Sequence, residues 1–286
     1  MENSSITPGQ QKQYLRFVED AAERALKDTG LDKDNIQKLI ENGDEFQARI
    51  VTGIKELSMS NQFADEEVRS SYAYPKGYKV KGITEQTNIL RQLFPGVGFA
   101  DEKLAEQPLP PNAEGWFAIP KWQTLAPTYG EAVEKVLAMI ASKRKFYNYR
   151  DGQLGAEYLR QHAKTVKMFQ KLGDEQKDFD ILVVPAQFGL RHKGRSVRRA
   201  REVFTANEFG LGAFAIGIML LTHPEREVQW EPLHVDCAGD EFSPFAGGGF
   251  SSAPVFFFSD GEVRFYAVWC DNADGHYGSA SAFVSQ

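Results

Sequence analysis

The stretch Val255-Phe256-Phe257-Phe258-Ser259-Asp260-Gly261-Glu262-Val263 decides the fold class of this chain. One apolar run precedes Asp260-Gly261, and a second apolar run, from Val263 to Trp269, follows it. Asp-Gly between two such runs is a pair that tight hairpin turns prefer, because both residues tolerate positive φ. The stretch therefore predicts an antiparallel β-hairpin, and we expect residues 232–286 to be rich in β-structure.

The other end of the chain carries the signals of helices. Thr7 can cap a first turn that begins with Pro8, since proline suits the first helical position. Tyr14 and Phe17 then start an apolar stripe with three- and four-residue spacing, which is the period of one helical face. Gly30 ends this pattern, as glycine often does after a helix. Similar patterns follow, so we expect a small bundle of short helices.

Two signals in the middle of the chain complete the fold prediction. Thr128 and Glu131 have the S/T-x-x-E spacing of a capping box, which predicts that a helix begins there. The apolar run from Ile181 to Val184 is typical of a buried strand. The sequence therefore predicts an α+β protein, with a helical N-terminal region, a mixed α/β region and a β-rich, antiparallel C-terminus.

A proline-rich segment is the best candidate for a domain boundary. Residues 107–113 read Gln-Pro-Leu-Pro-Pro-Asn-Ala, and consecutive prolines favour an extended chain that cannot continue a helix. We therefore expect a helical domain over residues 1–106, a linker over residues 107–113 and an α+β domain over residues 114–286.

Composition favours a soluble, cytoplasmic protein. The formal net charge of −6 argues against a nucleic-acid binder that uses its whole surface. The longest uncharged apolar run, Phe209 to Leu221, is shorter than the roughly 20 residues that a membrane span needs. The first residues lack the basic start and apolar run of a secretory signal. The two cysteines, Cys237 and Cys270, cannot form a disulfide scaffold.

A basic stretch follows the strand predicted at residues 181–184. Arginines before and within a helix suit phosphate groups or a nucleic-acid backbone. The alternative is that these basic residues pair with acidic residues of the same chain. Glu202 lies nearby, and residues 231–286 contain eight acidic residues but one basic residue, Arg264. The candidate anion-binding residues are Arg191, Lys193, Arg195, Arg198 and Arg199.

A second cluster combines histidine, cysteine and carboxylate side chains. A later cluster, with Cys270, Asp274 and His276, supplies further ligands if the hairpin folds back. Two nitrogens and two sulfurs suit tetrahedral zinc, whereas the carboxylates suit magnesium or calcium. A thiol nucleophile at Cys237 and an ordinary turn are the other interpretations. The candidate metal ligands are His234, Asp236, Cys237, Asp240 and Glu241.

Five strings spread over most of the chain carry a resemblance to a known family: residues 74–78 (YPKGY), 113–117 (AEGWF), 195–199 (RSVRR), 236–241 (DCAGDE) and 277–281 (YGSAS). Together they resemble a family of uncharacterised proteins from the candidate phyla radiation, which are uncultured bacteria with very small genomes. The resemblance implies a cytoplasmic bacterial protein, and no activity, fold or cofactor carries over with it.

Three functional hypotheses follow from these residues. The first is a non-catalytic module that binds an anion or nucleic acid through the basic stretch from Arg191 to Arg201. The second is a metal-dependent hydrolase that uses His234, Asp236, Asp240 and Glu241. The third is a protein-interaction module without activity.

Overall fold

The structure is a computed structural model that describes residues 7–58, 61–230 and 232–284. Its contacts divide the chain into two units, residues 1–59 and residues 60–286. The first unit contains three helices: α1 (Pro8–Thr29), α2 (Lys33–Glu41) and α3 (Gly43–Ser58). The start predicted for α1 is confirmed, because Thr7 and Gln10 form a capping box and Pro8 opens the helix. Gly30 ends α1 with a φ of 58°.

The division between the units differs from the predicted one. Residues 107–113 lie inside the second unit, not between two domains. Helix α4 (Ile83–Leu93) precedes this segment and packs against β1 (Gly115–Pro120), which follows it. The buried side chain of Gln86 joins them, since its amide nitrogen lies 2.8 Å from the Trp116 carbonyl oxygen. This hydrogen bond makes the proline-rich segment a connection within one unit.

The second unit contains two sheets. The first sheet has the order β1-β4-β11-β5, and all of its pairs are antiparallel. Strand β4 is buried at all seven of its residues, which confirms the buried strand predicted from its apolar run. The strands added to β1 are β4 (Ile181–Gln187), β5 (Glu208–Gly210) and β11 (Ser281–Phe283).

The second sheet has the order β10-β6-β8-β7-β3, and β9 joins β8 to β2 at its side. Strands β8 and β9 form the predicted hairpin, in which Asp260 and Gly261 have φ values of 51° and 80°. Most pairs are antiparallel, although β10–β6 and β2–β9 are parallel. The strands are β2 (Phe146–Asn148), β3 (Leu159–Gln161), β6 (His234–Asp236), β7 (Asp240–Phe242), β8 (Ser252–Ser259), β9 (Glu262–Trp269) and β10 (Tyr277–Ser279).

The helices of the second unit lie between and beside these strands. The apolar run at residues 209–221 forms most of β5 and α8, and every residue of α8 is buried, so it is a core helix. No helix among the described residues is long and apolar enough to cross a membrane. The predicted α+β class is confirmed. The remaining helices are α5 (Tyr129–Lys143), α6 (Ala163–Glu175), α7 (Val197–Val203) and α8 (Ala213–Thr222).

Candidate functional site

The basic residues that follow β4 have partners within the second unit. Arg191 Nε lies 3.1 Å from Glu208 Oε1, and the ammonium group of Lys193 donates to the carbonyl oxygen of Tyr72. Glu208 is fully buried, and hydrogen bonds and charge from His192, together with Arg191, hold its pKa at about 2 even though burial opposes this. The side chains of Arg191 and Lys193 therefore bind groups within the second unit.

The three remaining arginines pair with two neighbouring glutamates, and Arg199 also forms an ion pair with Glu202 at 2.8 Å. Arg195 Nε and Arg199 Nε lie 3.2 Å and 2.6 Å from the same carboxylate oxygen of Glu67. Arg198 Nε donates to Glu66 Oε1 at 2.7 Å. Each cation predicted to bind an anion therefore already contacts a carboxylate or carbonyl group of the same chain.

The residues predicted to bind a metal separate into different places. Asp240 turns towards the start of α8, whereas Glu241 forms an ion pair with Arg160 at 2.8 Å. Cys237 is fully buried, and burial raises the pKa of its thiol well above its ordinary value. Within the described residues, no group of three or more histidine, cysteine, aspartate and glutamate side chains could hold a metal ion.

The two clusters of candidate ligands predicted from the sequence do meet, because the side chains of His234 and His276 lie together. Their rings stack with centroids 4.2 Å apart, and Tyr72 stacks on the other side of His276 at 3.9 Å. The carboxylate of Glu227 lies 3.3 Å from His234 Nδ1. The two clusters therefore meet through stacked rings, where the backbone N–H of His234 in β6 donates to the carbonyl oxygen of His276, just before β10.

Asp236 lies beside this stack and is almost fully buried. Burial raises the pKa of its carboxyl group to about 8, and the nearby charge of Asp274 acts in the same direction. Asp236 is therefore largely protonated at neutral pH.

A cavity of about 380 Å³, here called the α8 pocket, lies where α8 begins. Gly212 precedes the helix and has no side chain to cap its first N–H groups. The carboxylate of Asp240 takes this role and accepts from the N–H of Ala213 at 2.6 Å. The hydroxyl of Tyr129, which lines the pocket, donates to Asp240 Oδ1 at 2.8 Å.

Glycines make this arrangement possible. A Cβ atom on Gly212 would lie 2.3 Å from Asp240 Oδ1 and 2.5 Å from the Tyr129 hydroxyl. A Cβ atom on Gly239 would lie 2.4 Å from the carbonyl oxygen of Gly210, so these two segments also need glycine to approach. The close backbone approach brings the start of β7, and with it Asp240, to the end of β5.

The environment of Asp240 raises the pKa of its carboxyl group towards neutral pH. Burial raises the pKa of its carboxyl group to about 7, although the hydrogen bonds from Ala213 and Tyr129 lower it. Burial and the charge of Asp240 raise the pKa of the Tyr129 hydroxyl well above its ordinary value. The pair therefore consists of a phenol that keeps its proton and a carboxyl group that gains or loses one near pH 7.

The walls of the α8 pocket combine flat aromatic rings with amide groups. Trp122 and Tyr129 meet edge to face with centroids 6.0 Å apart. The side-chain amides of Gln123 and Gln161 hydrogen-bond no other residue in the described part of the chain. Phe169 on α6 and Phe214 on α8 add aromatic surface. Rings of this kind stack on planar compounds, and free amides recognise the polar edges of such compounds.

Comparison with protein-family models, with curated proteins and with solved structures gives no match. The sequence pattern indicates Asp240 as a functional residue, although as a metal ligand, and Tyr129 is not among the predicted site residues. The one signal for Tyr129 is local, since it directly follows the N-cap residue Thr128.

Proposed function

We propose that the protein binds a small planar ring compound in the α8 pocket, and that Tyr129 donates a hydrogen bond to an acceptor atom of that compound. The observation that carries this proposal is the 2.8 Å hydrogen bond between the Tyr129 hydroxyl, in the pocket wall, and the buried carboxyl group of Asp240. A pocket of this size, largely apolar with a few converging polar groups, is typical of small-molecule sites.

The protonation state of Asp240 decides what Tyr129 can do. When Asp240 is ionised, it accepts the hydroxyl hydrogen of Tyr129, and this hydrogen is unavailable to a ligand. When Asp240 is protonated, it can donate to the phenol oxygen, and Tyr129 can turn its own hydrogen towards the pocket. A neutral buried carboxyl group behind a hydrogen-bond donor is an arrangement that polarises a carbonyl group.

The ligand class follows from the pocket walls. Trp122, Phe169 and Phe214 offer flat surfaces for stacking, and the amides of Gln123 and Gln161 can donate and accept at a ring edge. A heteroaromatic ring with a carbonyl group satisfies both features and gives Tyr129 an acceptor. Uracil, hypoxanthine and nicotinamide are suitable probes because each combines such a ring with an amide or carbonyl edge.

Calorimetric titration of these probes at about pH 6 and about pH 8 tests the proposal. We expect at least one probe to bind several-fold more tightly at the lower pH, because the fraction of protein with protonated Asp240 is about tenfold higher there. Tyr129→Phe should weaken binding at pH 6 and leave the affinity at pH 8 nearly unchanged. Probe binding whose affinity is unchanged in both Tyr129→Phe and Trp122→Ala would contradict the proposal.

Asp240→Asn is the matched variant. Its amide NH₂ can donate to the Tyr129 oxygen while its carbonyl oxygen accepts from Ala213, which imitates the protonated acid. This variant should bind the probe equally well at both pH values. A variant that keeps the wild-type pH dependence would show that another group titrates.

The other functional hypotheses have less support. Binding of nucleic acid through Arg191, Lys193, Arg195, Arg198 and Arg199 stays a prediction, although all five groups have partners within the chain. A metal-dependent hydrolase needs ligands that converge, and no group of three or more such side chains within the described residues could hold a metal ion.

A further inference from the structure

A second cavity lies away from the α8 pocket, where the C-terminal ends of α5 and α8 approach α4 and β9. It has a volume of about 600 Å³, and we call it the aliphatic cavity. Its walls consist mainly of branched aliphatic side chains, and no aromatic ring of the described residues lines it. The aliphatic lining residues are Ile89, Leu93, Ile140, Leu220, Leu221 and Val263. Such walls suit a flexible saturated chain, in contrast to the flat rings around the α8 pocket.

The charged groups at the edge of the aliphatic cavity are unequal. Glu225 is already neutralised, since both of its carboxylate oxygens accept from the ammonium group of Lys81, at 3.0 Å and 3.1 Å. Arg144 donates to the carbonyl oxygens of Pro224 and Glu227, so its guanidinium group has a role in the fold.

Lys143 is different. It is the last residue of α5, its side chain is exposed, and it has no carboxylate partner among the described residues. A free cation at the edge of an aliphatic cavity complements a molecule with an apolar chain and an anionic end.

We propose that the aliphatic cavity binds the hydrocarbon chain of a fatty acid, and that Lys143 forms an ion pair with its carboxylate. The chain gains from leaving water, and each additional buried CH₂ group should strengthen binding roughly fourfold until the cavity is full. The carboxylate stays at the exposed edge, where it keeps part of its hydration. This site is separate from the α8 pocket and does not depend on the function proposed there.

Titration of the full-length protein with dodecanoate, below the concentration at which it forms micelles, tests this proposal. We expect saturable binding of one molecule per chain. Ile89→Trp, which fills the cavity from a partly exposed position on α4, should lower the affinity at least tenfold. Lys143→Glu should lower it by a similar factor. Lys145→Ala, at an exposed lysine that does not line the cavity, should leave it unchanged.

Two further ligands separate the chemistry of the chain from that of the head group. Dodecanol has the same chain without the charge, so it should bind to the wild type more weakly than dodecanoate does. Dodecanol should bind to the wild type and to Lys143→Glu with equal affinity. Vesicles of a phospholipid test a membrane source for the same acyl chain. Binding to vesicles without binding of free dodecanoate would overturn the proposal, as would dodecanoate binding that Ile89→Trp does not weaken. Circular dichroism of each variant checks that it is folded.

Discussion

Tyr129 and Asp240 lie 111 residues apart in the chain, and a hydrogen bond of 2.8 Å joins their side chains. This contact links the start of α5 to the start of β7 and, through the N–H of Ala213, to the start of α8. A buried carboxyl group thus caps the core helix of the second unit and also contacts the wall of the α8 pocket. Stability and the ligand binding proposed for this pocket therefore depend on the same proton.

The first prediction concerns the pH dependence of stability. Burial raises the pKa of Asp240 from 3.8 to about 7, so between these values the folded protein holds a proton that the unfolded chain has released. Its contribution is fully present below about pH 4 and is lost as the pH rises to about 7. Since one pKa unit corresponds to about 1.4 kcal/mol, the loss should amount to a few kcal/mol.

Asp240→Asn removes this titration, and urea unfolding at several pH values measures the effect. As the pH rises from about 4 to about 7, the unfolding free energy of the wild type should fall relative to that of the variant. The pKa of His223 is lowered to about 4, which has the opposite sign, but this effect is the same in both proteins and cancels. Asp178→Asn, at an exposed carboxylate, is the control, and parallel curves for Asp240→Asn would contradict the prediction.

The second prediction concerns the glycine in front of α8. Gly212→Ala places a methyl group within 2.5 Å of the Tyr129 hydroxyl and closer still to Asp240 Oδ1. Overpacking of this kind should cost about 1–3 kcal/mol of unfolding free energy. Gly249→Ala is the matched control, because nothing lies within 4 Å of the Cβ that it adds. Equal stability of the two variants would show that the start of α8 adjusts freely.

Local signals in the sequence predicted local structure well. The Asp260-Gly261 turn, the capping box of Thr128 with Glu131 and the buried strand from Ile181 each depend on neighbouring residues. Their geometry is set within a few residues of the chain, so a pattern of residue types is sufficient to identify them. The α+β class followed from these elements.

The contacts that make the site are not local, and no pattern in the sequence specified them. Glu66 and Arg198 are 132 residues apart, and nothing near either one indicates the other. The buried amide of Gln86 joins α4 to β1 across the segment that the prolines marked as a linker. The sequence predicted that Asp240 would lie in one cluster with His234 and Asp236. The close backbone approach at Gly239 instead directs the side chain of Asp240 towards α8.

The third prediction concerns Arg226, which is fully buried. Its guanidinium group donates to Glu227, to the carbonyl oxygen of Leu233 and, at 3.0 Å, to that of Phe188. Arg226→Ala removes a donor from two buried carbonyl oxygens and the cation beside the buried carboxylate of Glu227, so we expect a loss of about 3–5 kcal/mol in urea unfolding. Arg160→Ala, in an ion pair whose arginine is half exposed, should cost at most about 1 kcal/mol. Similar losses for the two variants would argue against an internal role for Arg226.

The last prediction concerns the arginines of the basic stretch. Glu66 and Glu67 neutralise Arg195, Arg198 and Arg199, so the wild type should bind single-stranded RNA weakly even at low salt. Glu66→Gln with Glu67→Gln removes the glutamate partners of Arg195 and Arg198, whereas Arg199 keeps its ion pair with Glu202. We expect tighter binding that weakens steeply as salt is added, because phosphate contacts displace counterions.

A double variant with the same charge change elsewhere, Glu85→Gln with Asp178→Asn, separates this effect from net charge. Both of its carboxylates are exposed and lie outside the basic stretch. It should bind RNA as weakly as the wild type if the glutamates act by occupying the arginines. Equal binding by the two double variants would assign the change to overall charge, whereas tight, salt-sensitive binding by the wild type would mean that the arginines exchange their glutamate partners for phosphate.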